Sequence, residues 1–277
     1  METKTKKLKI DLLNWYKKNK RDFSWRKTTD PWQILLIETL SQQTQLERAN
    51  EYFDKFIKEF PSPKSMANSS LKIILKMWSG LGYNNRAKRL YEASKILEKK
   101  GFDQIYPNFD ALPGVGPYTK NAILSFGYGE KVLAIDTNIE RIIQRYFGLK
   151  NSKDFFKENS KYFLQNVDSR DINQAFMDFG SSICKSSNPI CSVCPIESCC
   201  NKYFSDSKSS KEKFKGSNRE VRGKIVKLLV NKGHVNNLKL FEEIDEDYEK
   251  VNKAIQGLKK DNLIKIKKNN IIEINSN

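Results

Sequence analysis

The sequence has 277 residues, room for one large domain or two to three small ones, and carries 50 Lys and Arg against 33 Asp and Glu, a formal net charge of +17 with pI near 9.5. Such an excess calls for a polyanionic partner, nucleic acid first, unless it only solvates a Lys-rich surface. No apolar run approaches the roughly 18 residues of a membrane span, and the basic start METKTKKLKIDLLNWYKK lacks the apolar core and cleavage site of a secretory signal, so a cytoplasmic protein with reduced thiols is expected.

The first 200 residues read as mainly helical. Leu12, Leu13 and Tyr16 share one face of an early helix. Asp30 and Pro31 open a second helix over PWQILLIETLSQQTQ (31–45), with Asp30 as N-cap and Pro31 in the first turn. At about 100° per residue Glu38 shares a face with Ile34, Gln42 and Gln45. A carboxyl in so apolar a stretch is expected to be desolvated, which raises its pKa and lets it donate a proton near neutral pH. The plainer alternative is a partly exposed Glu at a helix edge. Further helices are expected over 46–59, 69–78, 84–99, 117–127, 138–146, 153–166 and 171–183. The only strand-like run here is VLAI (132–135), too short to build a sheet.

Residues 202–217 are polar and rich in Ser and Lys, and 205–217 are read as a linker. Helices are expected beyond it over 218–231, 238–244 and 247–260, then strand-like IKIK (264–267) and IIEI (271–274). Lys268, Asn269 and Asn270 join the two, and Asn tolerates the positive φ of a hairpin turn. Three helices and a hairpin are the order of a winged helix. The single histidine, His234, stands far along the chain from every other motif.

Three stretches carry chemistry. In LPGVGPYT (112–119) two glycines make a tight turn and clear space, and Pro117 fits the first turn of the following helix. A hairpin feeding a helix N-terminus can bind phosphate through oriented N–H groups; it can also be an ordinary turn. In VLAIDTNIERII, Asp136 ends an apolar run and starts a helix. It can cap that helix, and it can stabilise positive charge on a sugar as a glycosidic bond breaks. CKSSNPICSVCPIESCC spaces Cys184, Cys191, Cys194 and Cys200 as C-x6-C-x2-C-x5-C, with Cys199 as the odd thiol. Four thiolates suit zinc or a [4Fe–4S] cluster, and their chemistry alone does not separate the two.

In LPGVGPYTKNAIL, IETLSQQTQ, WSGLGYNNRAKRL and the cysteine spacing, the chain resembles the A/G-specific adenine DNA glycosylases of the endonuclease-III-like helix-hairpin-helix superfamily, from about Asn14 to Tyr203. The resemblance implies a mainly α, two-subdomain glycosylase fold. An iron–sulfur subdomain would take 1–22 and 136–204, and a helical-barrel subdomain with the hairpin 23–135. A small winged-helix-like α+β domain (218–277) would follow the linker. Glu38 falls on the family's acid that protonates adenine, and Asp136 on its essential aspartate. Gln42 and Gln43 match the glutamine pair near the flipped base, Tyr83 the aromatic that enters the base stack, and Leu112, Gly114, Val115 and Gly116 the phosphate-gripping hairpin. Arg86 and Lys88 are expected at phosphates; Asn138 and Lys185 are also expected to face DNA. The cysteine spacing matches the family's [4Fe–4S] loop. Bifunctional relatives place a lysine where Tyr118 stands, and a phenol cannot form their imine, so a monofunctional enzyme that leaves an abasic site is expected. Lys120 lies about 200° further around the helix and should not substitute.

The resemblance thus implies a monomeric, nucleoid-associated enzyme of base excision repair acting on double-stranded DNA, releasing adenine mispaired with guanine or 8-oxoguanine. Two departures bear on this. Asn84 stands where a second Tyr is usual, and a short winged-helix-like segment follows where a Nudix-like domain is typical. A thymine or uracil glycosylase acting on G·T and G·U is the same-class alternative. A redox-sensing winged-helix regulator is the alternative of another class.

Overall fold

A computed structural model describes residues 1–204 and 214–275. Most of the expected linker (205–217) therefore lies outside the described residues. In chain order the helices are α1 (Glu2–Asn19), α2 (Pro31–Ser41), α3 (Leu46–Glu59), α4 (Pro63–Ala67), α5 (Leu71–Met77), α6 (Asn85–Lys100), α7 (Pro117–Tyr128), α8 (Thr137–Phe147), α9 (Lys153–Leu164), α10 (Ser169–Ser182) and α11 (Asn218–Lys232). Strand β1 (His234–Asn236), α12 (Asn237–Glu243), α13 (Tyr248–Lys260), β2 (Ile264–Ile266) and β3 (Ile271–Ile274) complete the chain. The described chain divides into two compact units.

The first unit takes residues 1–35, 107–110 and 115–208, so it holds α1, α7 to α10 and the cysteine loop. Its boundary differs from the expected one, because 115–135 belong with it. On α1 the buried stripe is Thr5, Leu8, Leu12 and Tyr16, steps of three and four residues, with Leu13 only partly buried at its flank. This stripe packs on α9 and α10. The core adds Ile139, Ile142, Ile143 and Tyr146 of α8 and Phe163, Phe176 and Phe179. One buried ion cluster fastens the segment after α1: Arg21 Nε and Arg26 Nη2 donate to Asp178 Oδ1 at 2.8 and 2.7 Å. Burial pushes the Asp178 carboxyl up, but the two guanidinium groups outweigh it and hold it below the usual range.

VLAI forms no strand. Side-chain amides take the place of a strand partner. The Ala134 N–H donates to Asn173 Oδ1 (2.9 Å), and the carbonyls of Val132 and Leu133 accept from Asn173 Nδ2 and Asn121 Nδ2 (2.9 Å each).

The second unit takes 36–106, 111–114 and 209–277, so the C-terminal module packs with α3 to α6 instead of standing alone. Its contact is α11 against α5. Ser62 and Ser65 form a capping box at α4, a single turn the sequence reading missed. The module runs helix–strand–helix–helix–strand–strand, with an antiparallel sheet in the order β1-β3-β2. That is a winged helix, with β1 the strand the sequence reading lacked. Val221, Ile225, Leu229, Val251, Ile255, Leu258 and Ile272 are buried in it. The turn before β3 holds Asn269 and Asn270 at φ of 69° and 56°, as the sequence implied. His234 is exposed on β1, opposite Glu273.

Candidate active site

Helix α2 is buried all round: Trp32, Ile34, Leu35, Leu36, Ile37 and Leu40 are at most 1% exposed, and Glu38 among them is 4% exposed. Glu38 is thus an interior carboxyl and no helix-edge residue. The helix ends at Ser41, four residues short of the expected end, so Gln42 and Gln45 do not continue its face. Arg86 explains the stop. Its guanidinium is buried and donates to the carbonyls of Thr39 (3.1 Å), Leu40 (3.0 Å) and Gln42 at the helix C-terminus. The other Nη reaches the carbonyls of Leu81 and Gly82 (3.2 Å each). Burial lowers its pKa to about 10. Arg86 therefore ties the turn after the Glu38 helix to the 81–82 loop, and its donors face protein carbonyls instead of phosphates. Lys88 is paired with Glu92.

Gln43 and Tyr83 both have left-handed backbones, φ 55° and 47°, uncommon for residues with large side chains. Tyr83 is 39% exposed, with the Arg86 and Arg219 guanidinium groups 5.7 and 4.8 Å from its ring centroid. The Asn84 backbone precedes α6.

In the hairpin, Leu112 and Val115 are buried and anchor the turn. Gly114 is required twice. Its φ is 84°, and a Cβ there would meet Arg89 Cβ at 3.1 Å. Gly116 differs from expectation: its backbone is extended (φ −98°, ψ −178°), and any residue could adopt it. A Cβ on Gly116 would meet nothing within 4 Å, so packing does not require glycine there. Tyr118 is half-buried on the first turn of α7, and the Lys120 ammonium pairs with Asp110 at 2.8 Å.

Asp136 is the N-cap of α8. Its Oδ1 accepts the N–H groups of Asn138 (2.9 Å) and Ile139 (2.8 Å), and Oδ2 accepts from Asn138 Nδ2 at 2.6 Å. Burial raises its pKa above the usual carboxylate range despite those hydrogen bonds and the nearby Arg141 charge. Asn138 is engaged on both sides, since its Oδ1 accepts from Arg141 Nη2 at 2.8 Å. It orients the carboxylate; the expected DNA contact is not the bond its amide makes. Gly180 of α10 lies close enough that a Cβ there would fall 2.7 Å from Asn138 Cβ.

Arg141 and Arg145 were missed by the sequence reading, although their spacing of four residues puts them on one helix face. Arg141 Nε donates to the Cys184 carbonyl (2.9 Å) and Nη2 to that of Gly180 (2.8 Å). Arg145 holds the carbonyls of Lys185 (2.6 Å) and Ser186 (3.0 Å). The Lys185 side chain is exposed.

Cys184, Cys191, Cys194 and Cys200 line one pocket, together with Ile142, Ile183, Ile196 and the cations Arg145 and Lys202. Cys199 is outside that lining and packs against the apolar core. Among the described residues no group of three or more His, Cys, Asp or Glu is placed to hold a single metal ion. Four thiols around a shared, largely apolar pocket, with Glu197 and Lys202 paired at its edge, suit a thiolate-bound metal centre. Burial pushes the Cys194 thiol up to about 11 and Cys200 in the same direction, so ligand binding must displace those protons.

Residues 37–164 match the family described as HhH-GPD superfamily base excision DNA repair protein. Over 247 residues the chain is 34% identical to the adenine DNA glycosylase of Buchnera aphidicola from Acyrthosiphon pisum, covering 85% of this chain and 70% of that one. It is 36% identical over 204 residues to the adenine DNA glycosylase of Buchnera aphidicola from Baizongia pistaciae, covering 70% of this chain but only 58% of that protein. The human adenine DNA glycosylase is 31% identical over 209 residues, 38% of its length. Among solved structures, a thermostable thymine-DNA glycosylase superposes with TM-score 0.66 at 30% identity, covering 73% of this chain and 97% of that one. An endonuclease III in a non-covalent DNA complex gives 0.61 at 20% identity, which speaks for the fold alone. No described helix is long and apolar enough to cross a membrane.

Proposed function

Since the chain belongs to the adenine DNA glycosylase family of the HhH-GPD superfamily, we propose that it is a monofunctional DNA glycosylase releasing adenine mispaired with guanine or 8-oxoguanine. The observation that carries this reading is Glu38, a carboxyl 4% exposed on an otherwise apolar helix. A carboxyl sheltered from solvent on an apolar helix is placed to pass a proton to a ring nitrogen of a base swung out of the duplex. The bond from the base to C1′ of the deoxyribose then breaks, its electron pair leaving with the base. The sugar becomes cationic, and the Asp136 carboxylate, oriented by Asn138 and two main-chain N–H groups, stabilises that charge. Water adds to C1′ and loses a proton, leaving an abasic site. Tyr118 offers no amine for an imine.

Cys184, Cys191, Cys194 and Cys200 would hold a [4Fe–4S] cluster, which supplies a rigid anchor for the loop that Arg141 and Arg145 grip. Gln42, Gln43 and Tyr83 would meet the duplex near the displaced base, and the 112–116 hairpin a phosphate.

The test is a panel of A·G, A·8-oxoguanine, G·T and G·U duplexes treated with protein and then alkali. Strand breaks are expected only after alkali and only at adenine. Glu38→Gln should bind the A·G duplex and release nothing. Likeness to the thermostable thymine-DNA glycosylase favours a second reading, release of thymine opposite guanine; cleavage confined to G·T and G·U would replace the first reading with it.

A further inference from the structure

The second unit holds a groove whose α11 wall none of the roles above uses. It runs along both sides of Tyr83, between the 79–89 segment and α11 of the C-terminal module. One side is a cavity of about 590 Å³ and the other of about 730 Å³, and Gln43, Tyr83, Asn84, Arg219 and Gly223 line both. We propose that this groove seats one strand of the DNA substrate, so that α11 of the winged helix is part of the DNA-binding face. The proposal rests on the reading of DNA as substrate and adds the surface that holds it.

Three observations converge. The groove is lined with cations, Lys76, Lys224 and Lys227 on one side and Arg89, Arg219 and Arg222 on the other. The acids there are Glu220 and Asp261. Asp261 is paired with Arg222, and Glu220 takes the Gly216 N–H and stands 3.6 Å from Lys224. Lys224 also pairs with Glu246 at 2.6 Å. The remaining excess is positive. Next, the two non-glycine residues with left-handed backbones in this part of the chain, Gln43 and Tyr83, both line it, and such strain collects where a ligand is met. The Arg219 guanidinium stacks on the Tyr83 ring at 4.8 Å from its centroid, donates to its hydroxyl, and stands 5.0 Å from the Phe214 ring. An aromatic platform under a guanidinium, inside a cationic track, is what a nucleobase and its phosphate need.

The third observation is Gly223. It stands inside α11, where glycine weakens a helix, yet a Cβ there would meet nothing within 4 Å. Packing does not require it. The bare backbone at Gly223 leaves α11 open to the groove on both sides.

The experiment uses the full chain and a fluorescently labelled A·G duplex, with anisotropy read across a salt series. Arg219→Ala and Lys227→Ala should each weaken binding several-fold and lower the slope of log K against log salt by about 1. Lys18→Ala, an exposed change on α1, controls for simple loss of charge and should do neither. Gly223→Gln should raise the urea midpoint while weakening DNA binding, a pair of effects that damage to the fold cannot produce. Wild-type affinity and slope in Arg219→Ala, Lys227→Ala and Gly223→Gln would overturn the groove, and is also what a protein occupant would give. Failure of the wild type to release a base from any duplex of the panel would sink the proposed function instead, and the binding series would still decide the groove.

Discussion

Replacing Gly180 by Ala tests the packing that orients Asp136. In a helix interior the exchange ordinarily gains up to ~1 kcal/mol. At Gly180 the new Cβ would fall 2.7 Å from Asn138 Cβ, 3.1 Å from its Cγ and 3.2 Å from its Oδ1. Those atoms cannot swing aside freely, because Asn138 is bonded to Asp136 Oδ2 at one end and to Arg141 at the other. Overpacking of this kind costs ~1–3 kcal/mol, and losing the hydrogen bond to a charged carboxylate a further ~1.5–3 kcal/mol. Against the helix gain, the net loss is ~1.5–6 kcal/mol. Gly223→Ala is the internal reference: with nothing within 4 Å of its Cβ, it should gain up to ~1 kcal/mol. Urea midpoints compare the two. Single-turnover release from saturating A·G duplex reads the second consequence, since a displacement of about 1 Å in a reacting group can cost about a hundredfold. A Gly180→Ala protein as stabilised as Gly223→Ala, and releasing adenine at the wild-type rate, would refute the reasoning.

Arg86→Lys keeps a charge but loses the fork that caps α2. The carbonyls of Thr39, Leu40 and Leu81 would lose their guanidinium donors, and stability should fall by ~2–4 kcal/mol in urea melts. The Asp136 pKa lies above the ordinary 3.8, so base release at saturating DNA should fall, as pH drops, at a pH above the usual aspartate range. The stability sign is the reverse of a salt-bridged acid: the folded carboxyl holds its proton more tightly, costs nothing below 3.8, and opposes folding increasingly as pH rises from there through the folded value. A pH–rate profile whose acid limb lies at or below 3.8 would contradict this. Cys194→Ser should lose iron and visible absorbance, whereas Cys199→Ser, outside the pocket lining, should keep both.

The helices were legible where local signals were strong. Pro117 after a hairpin glycine, Asp136 before an apolar period of three and four, and Asn269–Asn270 between two β-branched runs each state their conformation in a few residues. What failed was set by partners distant in sequence. Nothing in LSQQTQ says that Arg86 will take the last carbonyls of α2 and stop it at Ser41. Nothing in VLAI says that Asn121 and Asn173 will satisfy its main chain in place of a strand. For the site, the burial of Glu38 and the cap at Asp136 were readable because apolar surroundings and a helix start are local. Asn138, Arg86 and Arg141 were misread or missed, because a polar side chain in sequence does not declare whether it meets solvent, a ligand or a main-chain carbonyl.

Helix α8 gives the cysteine loop a reason to exist beside a hydrolytic site. Its N-terminus fixes Asp136 through two main-chain donors, and Arg141, one turn on, holds Asn138 Oδ1 with the same nitrogen that reaches the Gly180 carbonyl. The Nε of that guanidinium is committed to Cys184, and Arg145, a further turn on, to Lys185 and Ser186. A guanidinium is planar, so fixing its Nε on the loop fixes the direction of Nη2 toward Asn138. The loop is irregular and has only short 3₁₀ turns of its own, so it cannot supply that fixity unless something crosslinks it. Four thiolates on one inorganic core would do so without a redox event. On this reasoning a cluster held by these thiols would act on catalysis through the orientation of one carboxylate.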